Sequence, residues 1–390
     1  MLEGYLGGKY MHKRIPLFVM VILLFSALAC NIPGPGTSTA EEPTLEPTVE
    51  PTATDEPTPE PRVVVFAGGN FDIYHLDGTL SETRPAAGLT QWAHANQYQI
   101  LGDAIYYVDS GGDSLGGTVK RVTPGGVDNL AFTAVPDMAK LSFSVSQDGG
   151  MIAWAAGEWA NSVLWTANID GSDMQTIMEF DPASGMNDFY VLEVYRWGQA
   201  GNLYYVWQIS GIGNLLYFGY SSMYGYDPAT NTYATYYAAP VDGGMPCWKT
   251  ISPDDTLLVG TCDGGSGVAG LRERDLITSA ETVLPLLPDQ QQTGGVSYSP
   301  SGMRLAYAFG KPGMDPSDIQ GWVAYRDAPG ENPVVITSTA AGYFQETAWA
   351  SEDLLVVQGT EDDVTKVYLL TLDGAITHFA DGELIGLMWE

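Results

Sequence analysis

From Val63 onward the chain alternates short apolar runs of Val, Ile, Leu, Tyr and Trp with clusters of Gly, Asp, Ser and Pro, and no stretch carries a helical repeat. That pattern predicts an all-β chain of short strands joined by turns. A strand, a turn related to Ser-Pro-Asp-Gly and a second strand recur roughly every fifty residues. The copies read SFSVSQDGGMIAWAA from Ser142, WKTISPDDTLLVGT from Trp248, VSYSPSGMRLAYAF from Val296 and ETAWASEDLLVVQG from Glu346. Weaker versions are YQILGDAIYYV from Tyr98 and YRWGQAGNLYYVW from Tyr195. A second hairpin follows each, as in IYHLDGTLSET from Ile73, VLWTANIDGSDMQTI from Val163 and VYLLTLDGAITHF from Val367. Its Asp-Gly pairs suit tight turns, because glycine takes positive φ without a Cβ clash.

Four antiparallel strands per unit, with tight turns inside each hairpin, are the makings of a β-propeller blade. Six whole units are predicted, centred on 90–132, 140–179, 190–238, 246–286, 294–338 and 344–380. The fragment 63–84 supplies three strands without a first, and 384–390 supplies a first strand alone, with Met388-Trp389 matching Ala348-Trp349. Joined, they make a seventh blade that closes the ring with strands from both termini and removes its open edges. Six or eight blades are the alternatives. These residues resemble the TolB-like and WD-type propeller repeats, in which the SPDG turn joins the two inner strands of a blade. The resemblance covers 63–390 and departs from the pattern at Asp255 and Asp353, which stand where the turn glycine belongs.

The first thirty residues read as an export signal: His12, Lys13 and Arg14 precede a thirteen-residue apolar stretch, 17–29, too short to span a bilayer. The stretch ends Ser26-Ala27-Leu28-Ala29-Cys30 and resembles the bacterial lipobox. Ala27 and Leu28 stand where Leu and then a small residue are usual. The resemblance implies diacylglycerol on Cys30 and cleavage before it. Residues 31–61, rich in Pro, Thr and Glu and free of Lys and Arg, have almost nothing to bury and are expected to form a disordered tether. At roughly 3.1 Å per residue it would reach about 95 Å. The expected organisation is a signal peptide (1–30), a tether (31–61) and a propeller domain (62–390).

Charge then narrows the partners. The 390 residues carry 16 Lys and Arg against 47 Asp and Glu, a formal −31, and from Arg62 onward 13 against 39 leave about −26. Such a surface repels phosphate backbones, so nucleic acid is not expected as a partner. Cys247 and Cys262 flank the Ser252–Asp255 turn and are expected to form a disulfide outside the cytoplasm. A two-residue turn sets them opposite each other, whereas a bulged one pairs Cys247 with Thr261.

The sequence contains no GxSxG, HExxH, Walker or dinucleotide-binding motif, and no His/Cys cluster with zinc spacing. No catalytic residue is therefore assigned and no cofactor is expected beyond the lipid on Cys30. Candidate ligand-binding residues fall on the loops joining second to third strands: Asp109, Asp113, Trp159, Tyr217, Phe218, Tyr220, Asp315, Asp318, Asp362 and Asp363. Asp109 with Asp113 is a weak calcium candidate, since calcium wants six to eight oxygens. Exposed aromatics at 217–220 would make a platform for a peptide, protein or glycan. The expectation is an extracytoplasmic, lipid-anchored, non-catalytic binding scaffold of the cell envelope. The alternatives are a hydrolase or lyase acting on a polymer through acidic residues at the channel mouth, and a structural envelope component.

Overall fold

The computed structural model describes residues 60–89, 97–111, 116–136, 140–158, 161–179, 190–209, 220, 222–238, 248–260, 271–311, 319–338, 342–361 and 364–389. Cys30, Cys247, Cys262, the signal and the tether up to residue 59 lie outside them. The described strands form seven four-stranded antiparallel sheets, each a blade of one ring. Six blades are consecutive in sequence. Blade 1 is composite: Arg62–Ala67, Asn70–Tyr74 and Leu80–Pro85 are joined by the C-terminal strand Glu383–Met388, which pairs Arg62 with Met388 and Phe66 with Glu383. The expected closure by both termini is therefore present. Its register differs in one detail: Met388 is buried, while Trp389 remains 38% exposed beyond the strand end.

The core is divided into seven apolar clusters, one in each seam between neighbouring blades. Strand periodicity explains why. Successive side chains point to opposite faces, so Val64 and Phe66 pack into the seam with blade 2 while Val63 and Val65 pack into the seam with blade 7. With both faces covered, the second strand of a blade reads as a continuous apolar run, such as Leu305–Lys311 or Met151–Glu158. The outermost strands, covered on neither side, are mostly polar and exposed.

The recurring serine has a local task. In three blades its hydroxyl accepts an N–H from across the turn: Met151 N to Ser146 Oγ at 2.8 Å, Leu257 N to Ser252 Oγ at 2.8 Å, and Arg304 N to Ser299 Oγ at 3.3 Å. The turn also needs one residue with positive φ, supplied by Gly149 at +71° and Gly302 at +75°. Asp255 takes that place at φ +58°. Its carboxylate offsets the cost by accepting from Arg196 Nη2 and from the Gln199 N–H, both at 2.7 Å, and so ties blade 4 to blade 5.

Seven innermost strands surround the central channel: Glu383–Met388, Tyr98–Leu101, Lys140–Val145, Tyr190–Trp197, Trp248–Ile251, Gln292–Tyr298 and Tyr343–Trp349. Side-chain bonds stitch most of them to their neighbours. Val145 N donates to Gln99 Oε1 at 2.7 Å, Val194 N to Ser142 Oγ at 2.9 Å, Tyr195 OH to Thr250 Oγ1 at 3.0 Å and Trp349 Nε1 to Ser297 O at 3.2 Å. In blade 1 Leu384 N donates to Gln358 Oε1 of blade 7 at 2.6 Å. These bonds satisfy strand edges that face a neighbouring blade rather than a fifth strand. They fix the channel wall.

Candidate functional site

Charged side chains are scarce on the channel wall. Among the described residues the seven innermost strands carry six: Lys140, Glu193, Arg196, Lys249, Glu346 and Glu383. Lys140 pairs with the buried Glu193, and Arg196 pairs with Asp255 at 2.7 Å. The remaining three act on one another. Glu346 of blade 7 is the hub, coupled electrostatically to Lys249 of blade 5 and to Glu383 of blade 1, and both carboxylates act on the phenol of Tyr98 in blade 2. Strands from four blades thus bring two carboxylates, an ammonium and a phenol to one place.

Backbone irregularity helps to aim them. Five of the seven innermost strands carry one extra residue against their partner, always on the inner strand. Lys249 is such a residue, Gln345 immediately precedes Glu346, and Ile385 lies two residues beyond Glu383. A bulge bends the strand and re-aims its side chains. Tyr98 and Glu383 are the first residues of their strands and Lys249 the second. Glu346 is the fourth of seven in Tyr343–Trp349, so the cluster runs from the end of the channel where the inner strands begin, the side of the loops joining second to third strands, toward the middle of the wall.

Enclosure sets the chemistry. Much of the Glu346 side chain is open, but it opens onto a lumen walled by protein, and poor solvation pushes its carboxyl up to about 7 despite the opposing pull of Lys249. The same desolvation brings the Lys249 ammonium down to about 7, with Glu346 opposing it. Glu383 is raised to about 8, by desolvation first and then by the like charge of Glu346. Tyr98 is held well above its usual range, again by desolvation first.

A stability prediction follows with its sign fixed. The folded Glu383 holds its proton up to about 8, whereas the unfolded carboxyl loses it near its ordinary 4.5, so this group's contribution to stability falls as pH rises between those values. Glu383→Gln should melt close to wild type below pH 4.5 and progressively above it as pH rises, with the gap levelling off beyond about 8. A gap of at least about 2–4 °C, the equivalent of roughly 1 kcal/mol, is expected by thermal melts at alkaline pH. A gap that does not change with pH would refute the assignment.

The residues singled out from the sequence fare differently. Asp113, Trp159, Tyr217, Phe218, Asp315, Asp318, Asp362 and Asp363 lie outside the described residues. The Asp109 carboxylate is ion-paired with Lys120 and accepts the Gly111 N–H at 2.9 Å. Gly88, at φ +82°, runs so close beneath it that a Cβ there would collide with the carboxylate. Asp109 thus pins the link between blades 1 and 2. Among the described residues no group of three or more His, Cys, Asp or Glu is placed to hold a metal ion. Tyr220 corrects an expectation. It is 9% exposed, stacks edge-on against Tyr195 at 5.4 Å and exchanges two backbone hydrogen bonds with Trp248. The exposed platform loses this ring because the pairing with Trp248 draws it into the seam between blades 4 and 5. Around the disulfide candidates, Ile251 pairs with Leu258 as a two-residue turn requires, and an extra residue lies further along the inner strand, at Lys249, so that Trp248 pairs with Gly260; the cysteines themselves lie outside the described residues.

Tyr98, Lys249, Glu346 and Glu383 were not among those candidates. Their signal was faint: each is a single polar residue inside an innermost strand, and in sequence Lys140, Glu193 and Arg196 on other innermost strands look the same. Two shallow clefts lie elsewhere, about 260 Å³ beside Glu273 and Pro329 and about 220 Å³ over Gly225, and neither reaches the channel.

No family model matches this chain, and no curated protein does. Solved structures do. TolB from Acinetobacter baumannii is 16% identical, with 84% of this chain and 81% of that one covered and a TM-score of 0.44. An oligogalacturonate lyase in complex with manganese is 10% identical over 83% of this chain and 85% of its own, with a TM-score of 0.51. A Mycobacterium tuberculosis puromycin-hydrolyzing peptidase is 13% identical with a TM-score of 0.54; 83% of this chain is covered, but only 53% of that one. This chain thus spans about half the length of the peptidase. Identities this low speak to fold alone, and with the topology above they make one statement: the chain is a seven-bladed β-propeller whose solved neighbours include TolB proteins.

Proposed function

We propose that this chain is a binding protein of the cell envelope, anchored by lipid on Cys30, held away from the membrane by the tether 31–61, and taking a protein, peptide or glycan at its channel mouth. One observation carries the reading: Tyr98, Lys249, Glu346 and Glu383 converge from four blades, while the other inner-strand charges are neutralised by local partners. A ring whose wall is fixed by side-chain bonds presents such groups already ordered, which lowers the entropy cost of binding. The envelope address rests on the apolar stretch ending at Cys30 and on the Pro/Thr/Glu composition that follows.

The test is a pull-down from detergent-solubilised envelopes, comparing residues 60–390 with a Glu346→Gln/Glu383→Gln/Lys249→Met variant of matched thermal stability. A partner held by the native propeller and lost by the variant is expected. Equal capture by both would move the binding surface away from the channel. A second reading, an extracytoplasmic hydrolase or lyase, is favoured by the two carboxyls Glu346 and Glu383, which are poised near neutral pH as acid–base pairs are. Capture of nothing, together with turnover of a polymer that stops in Glu346→Gln, would favour it.

A further inference from the structure

The hollow over Gly225 lies apart from the channel, on the face of blade 4 turned toward blade 5, and what it binds is independent of the channel reading. It opens at the opposite rim from Lys249 and Glu383: Asn202 comes from the turn joining the first and second strands of blade 4, and Asp227 and Thr232 flank the turn joining its third and fourth. The floor is Gly225 and Ala234, which pair across those last two strands. A close approach requires the glycine, since a Cβ at 225 would come within 2.7 Å of the Tyr236 ring. Tyr236 is the extra residue of a bulge in the fourth strand, so its ring lies down over Gly225, held by the Tyr204 ring at 5.5 Å and by a hydrogen bond between the two phenols. The rim is polar and already ordered. Asp227 accepts the Thr230 hydroxyl at 2.5 Å and the Ala229 N–H at 2.9 Å, and these bonds, the hydroxyl first, hold its carboxyl below the usual carboxylate range. Thr230 Oγ1 and Thr232 Oγ1 lie 2.8 Å apart; with the Thr230 proton committed to Asp227, Thr232 donates to Thr230 and keeps lone pairs for a ligand. The Asn202 amide, able to donate and to accept, makes no side-chain hydrogen bond among the described residues. The next blade offers a comparison. Glu273 and Gly225 both stand two residues before the aspartate that ends their third strand, but in the cleft beside Glu273 the carboxylate is taken by Arg326 and no aromatic side chain forms a wall.

We propose that this hollow is a subsite for one neutral sugar residue, its C–H groups against Tyr236 and its hydroxyls on Asp227, Asn202 and Thr232. Each part of the wall matches part of a sugar ring. An aromatic face is negative and takes weakly positive C–H groups. A fixed carboxylate and a threonine oxygen accept from sugar hydroxyls, and the amide both accepts and donates. The volume, about 220 Å³, falls below the roughly 300–1,000 Å³ of drug-sized sites, so one ring is held and the rest of a glycan lies outside. No Lys, Arg or His lines the hollow and Asp227 does, so uronic acids and other anionic sugars are repelled. A single peptide unit offers one N–H and one C=O, too few for three polar groups around a space of this size.

Saturation-transfer NMR on the full chain, in a detergent without a sugar headgroup, tests this. The probes are the methyl glycosides of glucose, galactose, mannose and N-acetylglucosamine, the methyl glycoside of galacturonic acid, and acetyl-Gly-Ser-Gly-amide. At least one neutral glycoside should bind with a millimolar Kd, the strength that one ring with few contacts allows, and should receive saturation chiefly at its ring C–H protons. The galacturonic acid glycoside should bind at least about tenfold more weakly. Ala234→Leu fills the hollow from an exposed position and should abolish the signal. Asn202→Ala should weaken binding about two- to tenfold, the loss of one hydrogen bond. Ala280→Leu, the same change made at the cleft beside Glu273, should bind as wild type does, and thermal melts should show all three variants folded. No neutral glycoside bound, a signal that persists in Ala234→Leu, or galacturonic acid bound as tightly as galactose would overturn the proposal. So would binding of the peptide in place of the glycosides, which, if lost in Ala234→Leu, makes the hollow a peptide subsite. None of these outcomes alters the envelope capture lost with the channel variant, so the two readings fail separately.

Discussion

Deleting residues 383–390 should unfold the propeller as a whole, not merely fray its end. The strand Glu383–Met388 is the innermost strand of blade 1, and it buries Leu384 in the seam with blade 7 and Ile385 and Met388 in the seam with blade 2. Fully burying an apolar side chain stabilises by about 1.5–3 kcal/mol, so these three contribute roughly 5–9 kcal/mol. Single domains are stable by about 5–15 kcal/mol in total. The loss also leaves Arg62–Ala67, a strand apolar on both faces, with an open edge toward solvent, which invites pairing with other chains. The expected result is loss of the cooperative transition in urea and elution of the truncated protein as aggregate. Met388→Ala should give a graded version, destabilising by about 2–5 kcal/mol while leaving the ring closed and unaggregated. Full stability of the truncation would mean that the ring closes without its C-terminal strand.

That closure was legible because strand repeats are local. Six inner pairs carry their own tight turn, three of them with the bonded serine, and counting turns leaves three strands at one terminus and one at the other. The seams were legible for a related reason: a strand buried on both faces is written as an unbroken apolar run, as over residues 305–310. Even a departure could be read, since Asp255 stood in a glycine's place and keeps a glycine's φ. Its compensation, the contact with Arg196, depends on how one blade sits against the next and has no mark in the local sequence.

The channel cluster was illegible for the same reason on a larger scale. Tyr98, Lys249, Glu346 and Glu383 meet only because the ring brings four distant strands to one axis, and each taken alone is a polar residue in a β-strand. Tyr220 misled in the opposite direction. An aromatic in a long loop reads as exposed, yet two backbone bonds to Trp248 and the ring of Tyr195 place it inside. Composition tells which residues could form a platform, and only tertiary pairing decides which of them remain outside.

Glu273→Gln should be the most damaging single substitution that leaves side-chain volume nearly unchanged. Arg326 is fully buried on the third strand of blade 6, and its guanidinium meets the buried Glu273 on the third strand of blade 5. The pair is well supplied with further partners: Arg326 Nη1 donates to Met303 O at 2.8 Å, and the Gly330 N–H donates to Glu273 Oε2 at 3.2 Å. The guanidinium also lies 6.0 Å from the centre of the Tyr298 ring. Attraction between two desolvated charges repays their loss of water only while both are present, and removing one leaves the other buried without a counter-charge, at about 3–5 kcal/mol. Each kcal/mol lowers the melting temperature by about 2–4 °C in a domain of this kind. Replacing both, as Glu273→Leu/Arg326→Met, removes the desolvation cost together with the attraction, so the double variant should lie near wild type or above it. Urea unfolding of the two singles and the double gives the coupling directly, and a value above about 2 kcal/mol is expected for residues in contact. If Glu273→Gln stays within about 1 kcal/mol of wild type, blades 5 and 6 are held by their apolar seam alone, and the ion pair contributes little to closing the ring.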